Sequence, residues 1–332
     1  MTRLLYRLLG ASLLLGSLLA GWIGMGFNHF SESLLNVDGL VVTLERGDNL
    51  RDLSQKLYQQ GVISHSDYFY YLGRWHGYGA KLRAGEFKLS GELTPKQLLQ
   101  QLVSLPPRHY SFTLVEGWNI EQLQRAVAAD SKLQHQLEER LAPTELMARL
   151  GLEGHPEGQF MPDTYHYTRA STDIELLQRA YRAMQTFLQQ QWPERQPELA
   201  LKTPYEAQIM ASIVEKETGL ASERADIAGV FVRRLKRNMR LQTDPTVIYG
   251  LGEAFDGNLT RAQLRQDTPY NSYTRHGLPP TPIAMPGREA IVAALHPAKG
   301  SSLYFVARGD GSHQFSATLK EHNAAVKTYQ LR

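Results

Sequence analysis

The sequence predicts an α+β protein: an N-terminal transmembrane helix, then a small α+β module, then a larger mixed α+β domain. Three observations lead there. An uncharged apolar run, Leu8 to Asn28, follows Arg3 and Arg7. From Leu40 onward, short β-branched runs alternate with helically spaced leucines. Beyond about residue 200, helical stretches give way to loops dense in proline, tyrosine and amides. The expected segments are 1–30 for a cytoplasmic N-terminus and anchor, 31–39 for a linker, 40–105 for the module and 106–332 for the main domain.

Leu13, Leu14, Leu15, Leu18, Leu19, Trp22 and Ile23 lie in the uncharged run. About 20 apolar residues in a helix span the hydrocarbon core of a bilayer. Both arginines precede the run and little positive charge follows it. The N-terminus is therefore expected in the cytoplasm and the remainder outside, with residues 8–28 crossing the inner membrane. The alternative is a cleaved signal peptide, but Leu18-Leu19-Ala20 matches a small-x-small cleavage site poorly. Either reading exports the working part.

The module follows element by element. Val41 to Leu44 reads as a strand, and Arg46 to Asn49 as a turn leading into a helix cap. Leu50, Leu53, Leu57 and Tyr58 carry helical spacing, ended by Gly61. A second helix covers Ser66 to Trp75, Ala84 to Leu89 a second strand, and Thr94 opens a third helix. The strand–helix–helix–strand order resembles a LysM module, a glycan-binding fold; the alternative is a spacer with no ligand. Further on, Tyr110 to Val115 alternates as a strand and Ile120 to Val127 reads as a helix. Helices are expected at Leu137 to Leu141, Leu146 to Leu150 and Ile174 to Gln191, with Gly158 to Tyr165 a structured loop between them.

Composition excludes several functions. The 332 residues carry a net charge of +3 and no cysteine, so disulfides, thiolate metal sites and a cysteine nucleophile are out. The densest basic cluster, Arg233 to Arg237, is short and reads as a solvated helix face. No longer basic stripe supports nucleic-acid binding. The histidines show no His-Glu-x-x-His or similar spacing, so neither a metal nor another cofactor is expected. Gly309 to Ser312 reads as a hairpin turn, and no Gly-x-Ser-x-Gly elbow is present.

The chemistry is expected at the end of one helix. Thr203 can cap it, Pro204 suits its first position, and Glu206 would complete a capping box. The helix runs to about Thr218 and carries two glutamates near its end. Glu217 shares a face with Met210, Ile213 and Val214, and Glu215 shares one with Gln208, Ala211 and Ser212. Glu217 therefore leaves an apolar face, where desolvation and the helix C-terminus both raise its pKa. That suits a general acid held protonated near neutral pH. The bland alternative pairs Glu217 with Arg224 or Arg240. Downstream, Met239 to Gly250, Thr268 to Tyr273 and Gly277 to Ile283 combine aromatics, hydroxyls and amides, as a sugar site requires. Asp244 reads equally as a cap for a helix beginning at Pro245.

The motifs Ile213-Val214-Glu215-Lys216-Glu217-Thr218, Glu223-Arg224, Arg240 to Gly250, Tyr270-Asn271-Ser272-Tyr273, Gly277-Leu278-Pro279-Pro280, Pro286-Gly287 and His296-Pro297-Ala298 resemble the YceG-like endolytic murein transglycosylases. Pro162-Asp163-Thr164-Tyr165 extends the match, and the resemblance covers nearly the whole chain. It implies that 106–332 is a catalytic domain and that Glu217 is the acid/base, the residue the helical-face argument selects independently. The implied reaction cleaves N-acetylmuramic acid–N-acetylglucosamine bonds in nascent peptidoglycan strands, leaves 1,6-anhydro ends, and so terminates elongation near the membrane. Glu223, Arg240, Gln242, Thr243, Asp244, Tyr270, Asn271 and Tyr273 are the expected supporting or substrate-binding residues. Membrane-bound glycan synthases (penicillin-binding proteins) are plausible partners. The alternatives are a lysozyme-type hydrolase, which needs a second placed carboxylate, and a non-enzymatic peptidoglycan-binding scaffold.

Overall fold

The computed structural model describes residues 2–330; Met1, Leu331 and Arg332 lie outside the described residues, as do the side chains of Thr2 and Arg3. The architecture is mixed α+β, with an apolar N-terminal helix and, among the described residues, four two-stranded sheets. The chain forms two compact units. One comprises 1–110 with 132–134 and 167–171, and the other comprises 111–131, 135–166 and 172–332.

The first unit opens with α1 (Thr2–Glu32), whose stretch Leu4–Glu32 is long and apolar enough to cross a membrane. Then follow β1 (Leu35–Asn36), β2 (Val41–Leu44), α2 (Leu50–Gln59), α3 (Ser66–Trp75), β3 (Gly85–Lys88), β4 (Glu92–Leu93) and α4 (Pro95–Ser104). Local signals set these ends. Asn49 and Thr94 each form a capping box, with Asp52 and Gln97 at the third helical position. β2 and β3 pair antiparallel, Val42 opposite Phe87, and β1 pairs with β4. Leu53, Leu57, Phe69, Phe87, Leu98 and Leu99 fill the core between them. The stretch read as a linker is built into this unit, because β1 is paired and Val37 is buried. The last turn of α1 also belongs to the core. Phe30 is 2% exposed, and Phe27 meets Tyr68 edge-on.

The remaining elements are β5 (His109–Leu114), α5 (Ile120–Ala128), α6 (Pro143–Leu150), β6 (Asp163–Thr168), α7 (Asp173–Gln191), α8 (Pro204–Glu217), α9 (Arg224–Lys236), α10 (Asp244–Leu251), α11 (Arg261–Arg265), α12 (Arg288–Leu295), β7 (Tyr304–Ala307), β8 (His313–Ser316) and α13 (Leu319–Tyr329). β5 pairs with β6, and β7 with β8 through a hairpin in which Ala307 lies opposite His313. Two sequence expectations fail here. Residues 137–141 are not helical, and the expected loop to Tyr165 ends in a strand, because β6 takes its partner from β5.

The second unit is organised around α8. Every residue from Ala207 to Val214 is buried, and α9 and α12 pack against this helix. The face that Glu215 shares with Gln208, Ala211 and Ser212 therefore does not face water. Gln208 Nε2 donates to Gly158 O at 2.6 Å, and Ser212 Oγ accepts from Ile283 N at 3.0 Å. A helix buried all round can keep polar groups only if each finds a partner, and these two are spent on neighbouring loops. Gly158 is required where it stands. Its φ is +78°, and a Cβ would lie 2.5 Å from Pro282 Cβ. Thr203 caps α8 as expected, but Glu206 turns to Lys202 N at 2.6 Å and the reciprocal half of the box is absent.

Candidate active site

Glu217 is the last residue of α8 and lines a cleft of about 560 Å³. Gln242, Thr243, Asp244, Tyr273, Arg234, Tyr304 and His313 line the same cleft, with α13 supplying His322 and Asn323. The Thr243 hydroxyl donates to Glu217 Oε1. Burial pushes the Glu217 carboxyl up to about 7; the Thr243 hydrogen bond opposes this, the nearby Asp244 charge adds to it, and His313 opposes it. A group poised there is half protonated near neutral pH and can both give and take a proton.

Glu215 is the other glutamate near the end of α8, and its side chain is only 6% exposed. It accepts from Gly287 N at 2.8 Å and lies 3.9 Å from Arg224 Nη2. Arg224 also bonds Glu289 and lies 4.0 Å from Glu116. The arginine that could have neutralised Glu217 is thus committed to three other carboxylates. Desolvation raises the Glu215 pKa, with the Gly287 N–H opposing.

Residues 242–244 form a tight support. Gln242 has φ +53°, a conformation that costs a non-glycine residue energy and must be held by its surroundings. Its backbone N donates to Ser272 O at 3.1 Å, and its Oε1 accepts from Arg234 Nη1 at 3.2 Å. Thr243 N donates to Ser272 Oγ at 3.0 Å, and Thr246 Oγ1 donates to Thr243 O at 2.8 Å. These bonds aim the Thr243 hydroxyl at Glu217. Thr243, not Asp244, stands at the helix cap position. Asp244 Oδ1 instead accepts from Tyr273 OH at 2.5 Å, and burial with this bond raises the Tyr273 pKa.

Other expected residues lie elsewhere. The Arg240 side chain is exposed, and only its carbonyl takes part, accepting from Arg234 at 3.1 Å. Tyr270 is outside the cleft lining, with its hydroxyl 2.9 Å from Thr281 Oγ1 and its ring 4.8 Å from Tyr249. Asn271 is buried and clamps the C-terminal end of α11, donating to the carbonyls of Gln263, Leu264 and Gln266 and accepting from Tyr273 N. It holds Tyr273 in place and is not part of the cleft lining. Glu223 is displaced one shell outward. Its carboxylate accepts from both His313 N at 2.9 Å and His313 Nδ1 at 2.7 Å, so it sets the tautomer and orientation of a ring that lines the cleft.

The family model for YceG-like proteins matches residues 42–328. The chain belongs to the YceG-like family. An endolytic murein transglycosylase of Bacillus subtilis (strain 168) is 30% identical over 306 residues, covering 87% of this chain and 84% of that protein. The endolytic murein transglycosylase of Streptococcus pneumoniae serotype 2 (strain D39) is 26% identical, covering 91% of this chain and 61% of its relative. A crystal structure of a YceG-like protein from Listeria monocytogenes aligns with TM-score 0.56 and 28% identity, over 86% of this chain and 98% of that one.

Several cleft residues escape the sequence reading, among them His313 and Arg234. His313 sits in a hairpin strand far from the helix in sequence, and only its pairing with Glu223 marks it. Arg234 belongs to the basic cluster read as a solvated face, yet it is 7% exposed. Its Nε donates to Leu303 O at 2.7 Å and its Nη1 to Leu241 O at 2.8 Å. A helical wheel of α9 could have flagged it, since Ile227, Val230 and Phe231 lie at helical spacing from it and are buried.

Proposed function

We propose that this protein is a peptidoglycan lytic transglycosylase with Glu217 as its acid and base. The observation that carries the reading is a buried cleft carboxyl at a helix end, raised to about 7 and held by Thr243. The names of the Bacillus and Streptococcus relatives support it. Glu217, protonated, gives its proton to the glycosidic oxygen as the C1–O bond of N-acetylmuramic acid breaks. The resulting carboxylate then takes the proton of the same sugar's C6 hydroxyl, whose oxygen closes on C1. The 1,6-anhydro ring forms, no water is consumed, and Glu217 ends protonated as it began. One group serves both steps because an intramolecular nucleophile has a high effective concentration.

In this reading Thr243 moderates the acid, and Asp244 stays on Tyr273 rather than attacking C1. His313, braced by Glu223, borders the sugar. α1 anchors the chain in the inner membrane with 106–332 as a periplasmic catalytic domain, and the strand–helix–helix–strand unit is a LysM-like spacer or glycan binder. Cutting beside the membrane would terminate growing strands, with glycan synthases as partners.

The test is mass spectrometry of strands digested by wild type and Glu217→Gln. Anhydro-muramyl ends are expected from wild type, with the rate reduced by about 10² to 10⁴ in the variant. Reducing ends from wild type would make the protein a hydrolase. Intact strands after incubation with folded wild type would favour a binding scaffold.

A further inference from the structure

The cleft carries charges of both signs: Glu217 and Asp244 line it, and so do Arg234, Tyr304 and His322. Arg234 is a buried guanidinium, and among the described residues no carboxylate pairs with it. Its Nε and Nη1 are satisfied by the carbonyls of Leu303, Arg240 and Leu241 and by Gln242 Oε1. Carbonyl dipoles solvate a cation but do not neutralise it, so the group retains an uncompensated charge in a desolvated setting. Desolvation accordingly lowers its pKa.

The surroundings add donors and aromatic faces. Tyr304 lies with its ring centroid 5.0 Å from the Arg234 guanidinium carbon, and His322 stacks on Tyr304 at 5.2 Å. His322 Nδ1 is buried without a partner. Because Gln242 spends its Oε1 on Arg234, its amide N–H₂ is left as a donor, and Asn323 stands on the cleft wall beside His322. Guanidinium, amide and imidazole line the same cleft, and among the described residues no carboxylate pairs with any of them.

The geometry points to a carboxylate-binding subsite centred on Arg234, with Gln242 as its second donor, that recognises a carboxylate carried by the muramyl residue of the strand. This rests on the transglycosylase reading for its substrate class. Two sources share the chemistry: the lactyl carboxylate of a peptide-free muramyl residue, and an α-carboxylate of the attached stem peptide. The subsite would fix the strand through its charged substituent while the neutral glycosidic oxygen lies at Glu217. With Nε and Nη1 spent on protein acceptors, Nη2 is left to make a charge-assisted contact to the carboxylate, beside the Gln242 amide.

The test separates binding from cleavage. Full-length Glu217→Gln protein in detergent micelles is titrated by fluorescence anisotropy with labelled peptide-free strands and with peptide-bearing strands. Each strand type is used native and with its carboxylates converted to methylamides. Amidation is expected to weaken binding about tenfold in at least one strand type, and the type affected identifies the source. Gln242→Glu, added to the same background, sets a carboxylate against Arg234 and should erase the difference while leaving the circular dichroism spectrum unchanged. Equal affinity for native and amidated strands of both types overturns the subsite, as does a preference that survives Gln242→Glu. Failure of wild type to make anhydro ends would sink the reaction and leave this binding contrast standing.

Discussion

Thr243→Val removes the hydroxyl that donates to Glu217 and keeps the side chain's shape. That hydroxyl stabilises the charged carboxylate, so its loss raises the Glu217 pKa. A hydrogen bond to a charged group contributes about 1.5–3 kcal/mol. At about 1.4 kcal/mol per unit, the shift is roughly one to two pKa units. Glu217 begins at about 7, and the first chemical step requires it protonated. The rate therefore falls on the alkaline side as Glu217 ionises, and in Thr243→Val that falling limb should move upward by about one to two pH units. The assay is the initial rate of anhydro-muramyl end release at low substrate concentration, from pH 5 to 9. Thr243→Ser retains a hydroxyl and should keep the wild-type limb. A Thr243→Val limb that coincides with wild type, or moves to lower pH, refutes the assignment of Glu217 as the titrating acid.

Glu157 gives a stability test. It is 0% exposed, accepts from Ile120 N at 3.2 Å and Tyr249 OH at 3.0 Å, and has its Oε1 unpartnered. Burial lifts its carboxyl to about 7 from 4.5. The folded state then holds a proton that the unfolded state releases, so stability is full in acid and is lost as pH rises from about 4.5 through 7, by roughly 3 kcal/mol. Denaturant titrations of Glu157→Gln should lack this component; identical pH slopes for variant and wild type would disprove it. Gly158→Ala combines a left-handed φ with a contact to Pro282, and should cost roughly 2–4 kcal/mol in the same titration; a loss under 1 kcal/mol would show that the loop yields. Glu223→Gln removes the charge bracing His313 and should lower kcat by about tenfold or more with KM little changed. An unchanged kcat would mean that the orientation of His313 is irrelevant to the reaction.

Much of the fold is local and was legible as such. α3 spans Ser66–Trp75 as its periodicity predicts, and the caps at Asn49 and Thr94 lie within three residues of their partners. The apolar α1 and the hairpin turn at 309–312 are also short-range patterns. Glu217 could be picked out because the helix period alone separates it from Glu215. What surrounds it could not. The partner of Glu217 is 26 residues away, that of Glu223 is 90 residues away, and Arg224 reaches back to Glu116.

The sequence by itself therefore determined most of the helices, the caps at Asn49 and Thr94, the apolar N-terminal helix and one glutamate at a helix end, because these depend on spacing along a single element. Tertiary structure alone decided that α8 is buried on every side, that Arg234 faces a cleft instead of solvent, and that Tyr270 and Asn271 support loops instead of lining the site. Burial is a property of what packs against a residue, and no period in the chain records which distant segment that will be.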